Sequence, residues 1–179
     1  YDEAEAEYRR SLALEGSHFQ PAWAAFLRML AHKDADLEAL RELHRQLVQD
    51  YGDSVSPYFR DLGAVLHDRD AMLAILHKAA ADSVYRGDGE LLLLADALGD
   101  ADLAAAELRK SMEGSKGFTE GHMALGSYWA LWMAPYSDLR SHPEFKKLLI
   151  EAGLADYWRQ TGKWGDGCKP VGADDFQCQ

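Results

Sequence analysis

Long apolar runs are missing from this chain. The longest, residues 91–95 and 130–135, fall far short of the roughly 18 to 20 residues that cross a bilayer. Nothing resembles a secretory leader, so no membrane contact is expected from this segment. A basic excess is missing too: the net charge is −11, whereas nucleic-acid affinity comes mostly from neutralised phosphates. No basic stripe is visible, which argues against a nucleic-acid partner. Prolines are few, five in all, and Pro21, Pro57 and Pro143 each sit where a helix would begin, a position at which the missing N–H costs nothing. Sustained alternation of period two is absent, so no strand pattern competes with helix. Cysteine is limited to Cys168 and Cys178, yet 179 residues with 47% hydrophobic content can bury a core without disulfides or metal.

What is present is a beat. Asp2, Asp36 and Asp70 stand thirty-four residues apart, each opening a stretch that reads as an amphipathic helix, and Asp102 nearly keeps the interval. After Asp2 come Ala4, Tyr8, Ser11 and Leu12 on one helical face; after Asp102, at the same offsets, come Ala104, Leu108, Ser111 and Met112. The intervening copies are degenerate, with Leu43 and Leu47 at the large slots and Gln46 at the small one, then Ala80 with His77 in place of the aromatic. Another helix is expected before each of these. Ala22-Trp23 leads to Phe26, Leu27 and Leu30; Tyr58-Phe59 leads to Leu62-Gly63 and Leu66; Gly121-His122 leads to Leu125-Gly126 and Trp129. A glycine after leucine lets the paired helix come close while large neighbours fill the space between.

With these residues the chain resembles the tetratricopeptide repeat family over about residues 1–132. The resemblance implies an all-α fold: a right-handed superhelical solenoid of degenerate helix pairs, whose inner surface binds other molecules, closed by a C-terminal helical cap. The segment from Glu90 to Leu98 occupies the right place but offers only a leucine run.

After Trp132 the beat stops. His142-Pro143 should start a helix whose apolar face is Phe145, Leu148 and Leu149 and whose stop is Gly153, and a short helix presenting Leu154, Tyr157 and Trp158 should follow. Capping helices are thus expected over 133–162 and an extended cysteine-containing tail over 163–179. Leu139-Arg140, Pro143-x-Phe145, Gly153-Leu154, Tyr157-Trp158-Arg159 and Trp164 with Asp166 and Cys168 resemble the C-terminal segment of bacterial tetratricopeptide arrays. Those arrays are fused to signalling domains such as winged-helix transcriptional regulators, adenylate cyclases and TIR-domain proteins. That likeness implies a regulatory or sensory protein–protein interaction module without catalytic residues or cofactor.

Chemistry-bearing patterns are weak. No HExxH pair occurs, and neither Gly87-Asp88-Gly89 nor Gly165-Asp166-Gly167 leads into a P-loop lysine. Asp166, Asp174 and Asp175 lack calcium-loop spacing. The tripeptide Arg86-Gly87-Asp88 matches an integrin-binding sequence, but glycine and aspartate belong in an inter-helix turn as stop and cap. Trp132, Tyr136, Trp158 and Trp164 cluster where repeat meets cap, either as packing or as an aromatic pocket. Cys168 and Cys178 leave three readings open: a disulfide, which persists on the oxidising, periplasmic or extracellular side; free thiols, which fit cytoplasm; or a metal site, disfavoured for want of CxxC spacing.

If the solenoid binds a peptide, first helices line its groove with Ala24, Arg28, Arg60, Ala64, His67, Met123 and Ser127. Arg28 and Arg60 form its cationic pair, suited to bidentate capture of a carboxylate, with intramolecular salt bridges as the competing fate. Two other function classes remain: a structural or oligomerising solenoid, and a small-molecule sensor or hydrolase with a pocket between the last repeat and the cap. Tyr1 falls within a second-of-pair helix, so the chain reads as a C-terminal piece of a longer signalling protein, and the apolar face of 1–14 is expected to be partly bare. Self-association through that end should appear as a rise in sedimentation coefficient with concentration; a strict monomer at high concentration contradicts it.

Overall fold

Aspartates cap the starts of several helices. The computed structural model describes residues 19–31, 35–85, 88–115, 137–165, 167–172 and 174–178. Its helices are α1 (Phe19–Ala31), α2 (Leu37–Tyr51), α3 (Pro57–Leu62), α4 (Arg69–Ala80), α5 (Gly89–Ala97), α6 (Ala101–Ser115), α7 (Ser137–Ser141), α8 (Pro143–Glu151) and α9 (Leu154–Thr161). Two strands follow, β1 (Cys168–Val171) and β2 (Asp175–Cys178). The Asp36 carboxylate accepts from the N–H groups of Glu38 at 2.9 Å and Ala39 at 3.2 Å, Asp68 from Ala71 at 3.0 Å, and Asp100 from Leu103 at 2.9 Å. Each satisfies donors that a helix start leaves orphaned. The capping aspartates of α2, α4 and α6 are therefore Asp36, Asp68 and Asp100, evenly thirty-two residues apart. Asp70 and Asp102 lie one position inside their helices.

The chain divides into two compact units, Tyr1–Ile75 and Leu76–Gln179, the division falling inside α4. In the first, α1 packs on α2. Phe26, Leu27 and Leu30 of α1, Leu40, His44 and Leu47 of α2, and Tyr58, Phe59 and Leu62 of α3 are buried. The helix expected to run from Tyr58 past Leu66 ends at Leu62 and tightens into three-residue turns, Ala64 N–H to Asp61 O at 3.3 Å and Val65 N–H to Leu62 O at 2.9 Å. Gly63 and β-branched Val65 are poor helix formers, and Asp68 is already committed to capping α4.

In the second unit every residue over 91–98 is buried, Asp96 included. A helix apolar all round belongs inside, and α6 covers it with Leu103, Ala104, Ala105, Leu108 and Met112. Helices α7 and α8 pack on α6, and α9 on α8. From α5 the Asp96 carboxylate accepts the Leu139 N–H of α7 at 3.2 Å, acting as a cap supplied from another helix. Arg109 of α6 pairs with Glu144 and, at 3.2 Å, with Glu151, so both ends of α8 are tied to one guanidinium. Glu107, fully buried, is met by the Lys110 ammonium at 2.6 Å, which also donates to Ala80 O at 3.1 Å. Pro143 opens α8 behind His142, and Gly153, at φ 75°, separates α8 from α9 in a backbone conformation that side-chain-bearing residues avoid.

The tail expected to be merely extended is an antiparallel hairpin, with Cys168 opposite Cys178 and Pro170 opposite Phe176. Over 175–178 exposed and buried residues alternate, a period-two signal too short to register as a strand pattern. Cys168 and Cys178 are joined as a disulfide. Closing so short a loop contributes about 2 to 3 kcal/mol, comparable to the roughly 1.5 to 3 kcal/mol from burying the Phe176 ring.

If the caps are where the carboxylates bind, Asp36→Ala and Asp68→Ala should each cost about 1 kcal/mol in urea unfolding, and Asp70→Ala only a few tenths. Equal losses at Asp68 and Asp70 would contradict the assignment.

Candidate functional site

The segments that carry five of the anticipated binding residues lie beside a cluster of rings contributed by α1, α2 and α3. Leu40, His44 and Leu47 of α2 stand at helical spacing on one buried stripe, with a histidine where a third aliphatic residue is the default. The His44 ring stacks on Phe59 of α3 at 4.7 Å between centroids and meets Phe26 of α1 at 5.9 Å. Phe26 and Trp23 in turn contact Phe59 at 5.4 and 5.0 Å. Three helices are thereby joined through one phenylalanine. His44 Nε2 lies 2.7 Å from Phe59 O. A carbonyl can only accept, so Nε2 carries a proton, and in the neutral ring this fixes the Nε2–H tautomer.

Gly63 explains how a histidine fits. A Cβ at that position would stand 2.7 Å from His44 Cε1 and 3.0 Å from Nδ1, closer than side chains approach without displacement. The glycine of the Leu62-Gly63 pair is therefore the space that the imidazole fills. Burial pushes the His44 pKa below its ordinary value, opposed in part by the bond to Phe59 O.

Ala24, Arg28, Arg60, Ala64 and His67 are all exposed, on elements whose buried sides form that cluster. Arg60 donates to Gly52 O and lies 4.0 Å from the Asp53 carboxylate, so part of its hydrogen-bonding capacity is engaged within the chain. Among the described residues Arg28 has no ion-pair partner. Met123 and Ser127 lie outside the described residues, as do Trp129, Trp132 and Tyr136. Of the anticipated aromatic cluster, Trp158 is buried and Trp164 half-buried, their centroids 5.7 Å apart, and the third ring of the group is Phe176.

Other polar pairs are accounted for by helix ends. His77 reaches Asp100 at 2.8 Å, the carboxylate that caps α6. His142 reaches Asp102 at 3.0 Å through Nε2 while its Nδ1 accepts the Glu144 N–H and caps α8. Asp88 of the Arg-Gly-Asp tripeptide caps α5 by accepting from Glu90 N–H at 2.9 Å. The Glu144 carboxyl is held below the usual range by bonds from Lys147 and Arg109, an electrostatic tie between α6 and α8 rather than a reactive group. Among the described residues no three His, Cys, Asp or Glu side chains converge as a metal site, and no helix is long and apolar enough to cross a membrane.

Sequence reasoning passed over His44. The available signal was its position, four residues after Leu40 and three before Leu47. No protein-family model matches the chain, and no match is found among curated proteins or solved structures.

Because the folded-state pKa of His44 is lowered, the unfolded chain takes up a proton before the folded one does. Its contribution is fully present above about pH 6.5 and is lost as pH falls from there through the lowered value. The urea midpoint should decline between about pH 7 and 5, and His44→Gln, which keeps a donor for Phe59 O, should flatten that decline. An equal slope in both proteins would show that other groups govern it.

Proposed function

We propose that this chain is a non-catalytic protein–protein interaction module, the regulatory or sensory C-terminal part of a larger bacterial signalling protein, built as a tetratricopeptide-like solenoid. The observation that carries the proposal is the exposure of all five described groove candidates, Ala24, Arg28, Arg60, Ala64 and His67, on elements whose opposite sides are packed. Packing of α1 on α2 and of α5 on α6 supports a fold made of helix pairs. The evenly spaced caps at Asp36, Asp68 and Asp100 support a repeated unit.

The partner that fits is an acidic peptide. Guanidinium groups bind carboxylates through paired N–H donors, and Arg28 and Arg60 are exposed cations in a chain of net charge −11. The net negative charge repels such a peptide at long range, so its capture rests on the two guanidinium groups at contact distance.

Replacing both arginines, Arg28→Ala with Arg60→Ala, should leave far-UV circular dichroism and the unfolding midpoint nearly unchanged. Affinity for a glutamate-rich peptide should fall roughly tenfold or more at low salt, each charge-assisted contact contributing of order 1.5 kcal/mol. Unchanged calorimetric affinity at about 0.05 M salt, where screening is weak, would remove this surface as the binding site.

A further inference from the structure

Few contacts hold the C-terminal hairpin. Each strand has four residues, and a two-stranded sheet of that length does not persist by itself in water. Lys169, Pro170 and Val171 are exposed, so β1 sends only Cys168 inward. From β2 the Phe176 ring stands against both Trp158 and Trp164, at 6.2 and 5.8 Å between centroids. β2 also packs against α7, and its polar ties are at the surface. Lys146 pairs with Asp175 and lies 5.3 Å from the Phe176 centroid, and Arg159 donates to Asp174 O at 2.9 Å. Exposed contacts of this kind contribute little. The Cys168–Cys178 bond joins directly opposed residues beside Phe176 and fixes the register of the pair.

The helices beneath have their own restraints. Phe145, Leu148 and Leu149 are buried, and the bonds from Arg109 to Glu144 and Glu151 and from His142 to Asp102 do not involve the hairpin.

We infer that the Cys168–Cys178 disulfide is a redox latch over an aromatic face: when a dithiol reductant opens it, β2 leaves Trp158 and Trp164 exposed while the helices stay folded. A thiolate of the reductant attacks one sulfur, the S–S bond breaks, and a mixed disulfide forms. The reductant's second thiol displaces it. Two electrons pass to the protein, both cysteines end as protonated thiols, and the reductant leaves as its own disulfide. This inference stands apart from the arginine-bearing surface of the first unit.

The test uses the full chain, oxidised or treated with dithiothreitol, under limited chymotrypsin digestion with the cut sites located by mass. Cleavage after Trp164 and after Phe176 should accelerate about tenfold or more on reduction, the scale on which a short-loop disulfide shifts an opening equilibrium. The far-UV helical signal should persist, and oxidised glutathione should restore protection. The double variant Cys168→Ser, Cys178→Ser should match the reduced protein without reductant. Equal cleavage in both states overturns the latch, because the hairpin then holds without its bond. Loss of the helical signal on reduction also overturns it, because the bond then staples the whole unit. Should the variant fail to fold, the comparison on the natural sequence decides alone.

Discussion

Short helices cannot stand alone, and that constraint organises everything else in this protein. The longest described helices have 15 residues, a length at which an isolated helix is marginal in water. Each must bury a face on a neighbour and satisfy its orphaned N–H groups locally. The chain meets the second demand with carboxylates: Asp36, Asp68, Asp88 and Asp100 sit at helix starts. A histidine does the same for α8, and Asp96 does so for α7 from a different helix. Part of the acidity of the sequence is thereby structural, placed where helix dipoles favour negative charge.

The first demand is met differently in each unit. In the first, Phe59 is the hub, touched by rings from α1 and α2, and Gly63 leaves room for the imidazole of His44. A histidine there brings a directional bond to a backbone carbonyl that an aliphatic residue could not make, together with a dependence on protonation. In the second unit the all-leucine sides of α5 require cover on every side. The cost of burying Asp96 and Glu107 beside them is offset by a backbone N–H and by Lys110. At the C-terminal end the helices give way to a hairpin too small to hold itself, and a covalent bond and a trio of rings take over.

Much of the helical architecture was legible because its causes are local. Pro57 and Pro143 mark helix starts and Gly153 a stop, and Ala104, Leu108 and Met112 fall on a buried face as their spacing requires. Asp70 and Asp102, expected to open their helices, stand one residue inside them, and the caps are Asp68 and Asp100, two residues earlier in each case. Either can precede the same apolar face, and only the carboxylate-to-amide geometry distinguishes them. The hairpin was missed because four alternating residues are too few for a periodic signal. His44 was missed because a polar residue on an apolar stripe becomes intelligible only when its acceptor, fifteen residues away, is known.

By itself the sequence determined the helical class, the helix boundaries set by Pro57, Pro143 and Gly153, and the excess of negative charge, all properties of residues within one or two turns of each other. Tertiary structure alone decided that Cys168 pairs with Cys178 across a hairpin, that Gly63 makes room for His44, that Asp96 caps α7, and that Arg60 is partly engaged by Gly52 and Asp53 while Arg28 is exposed. Each depends on groups far apart along the chain being brought within bonding distance, and no local periodicity encodes those distances.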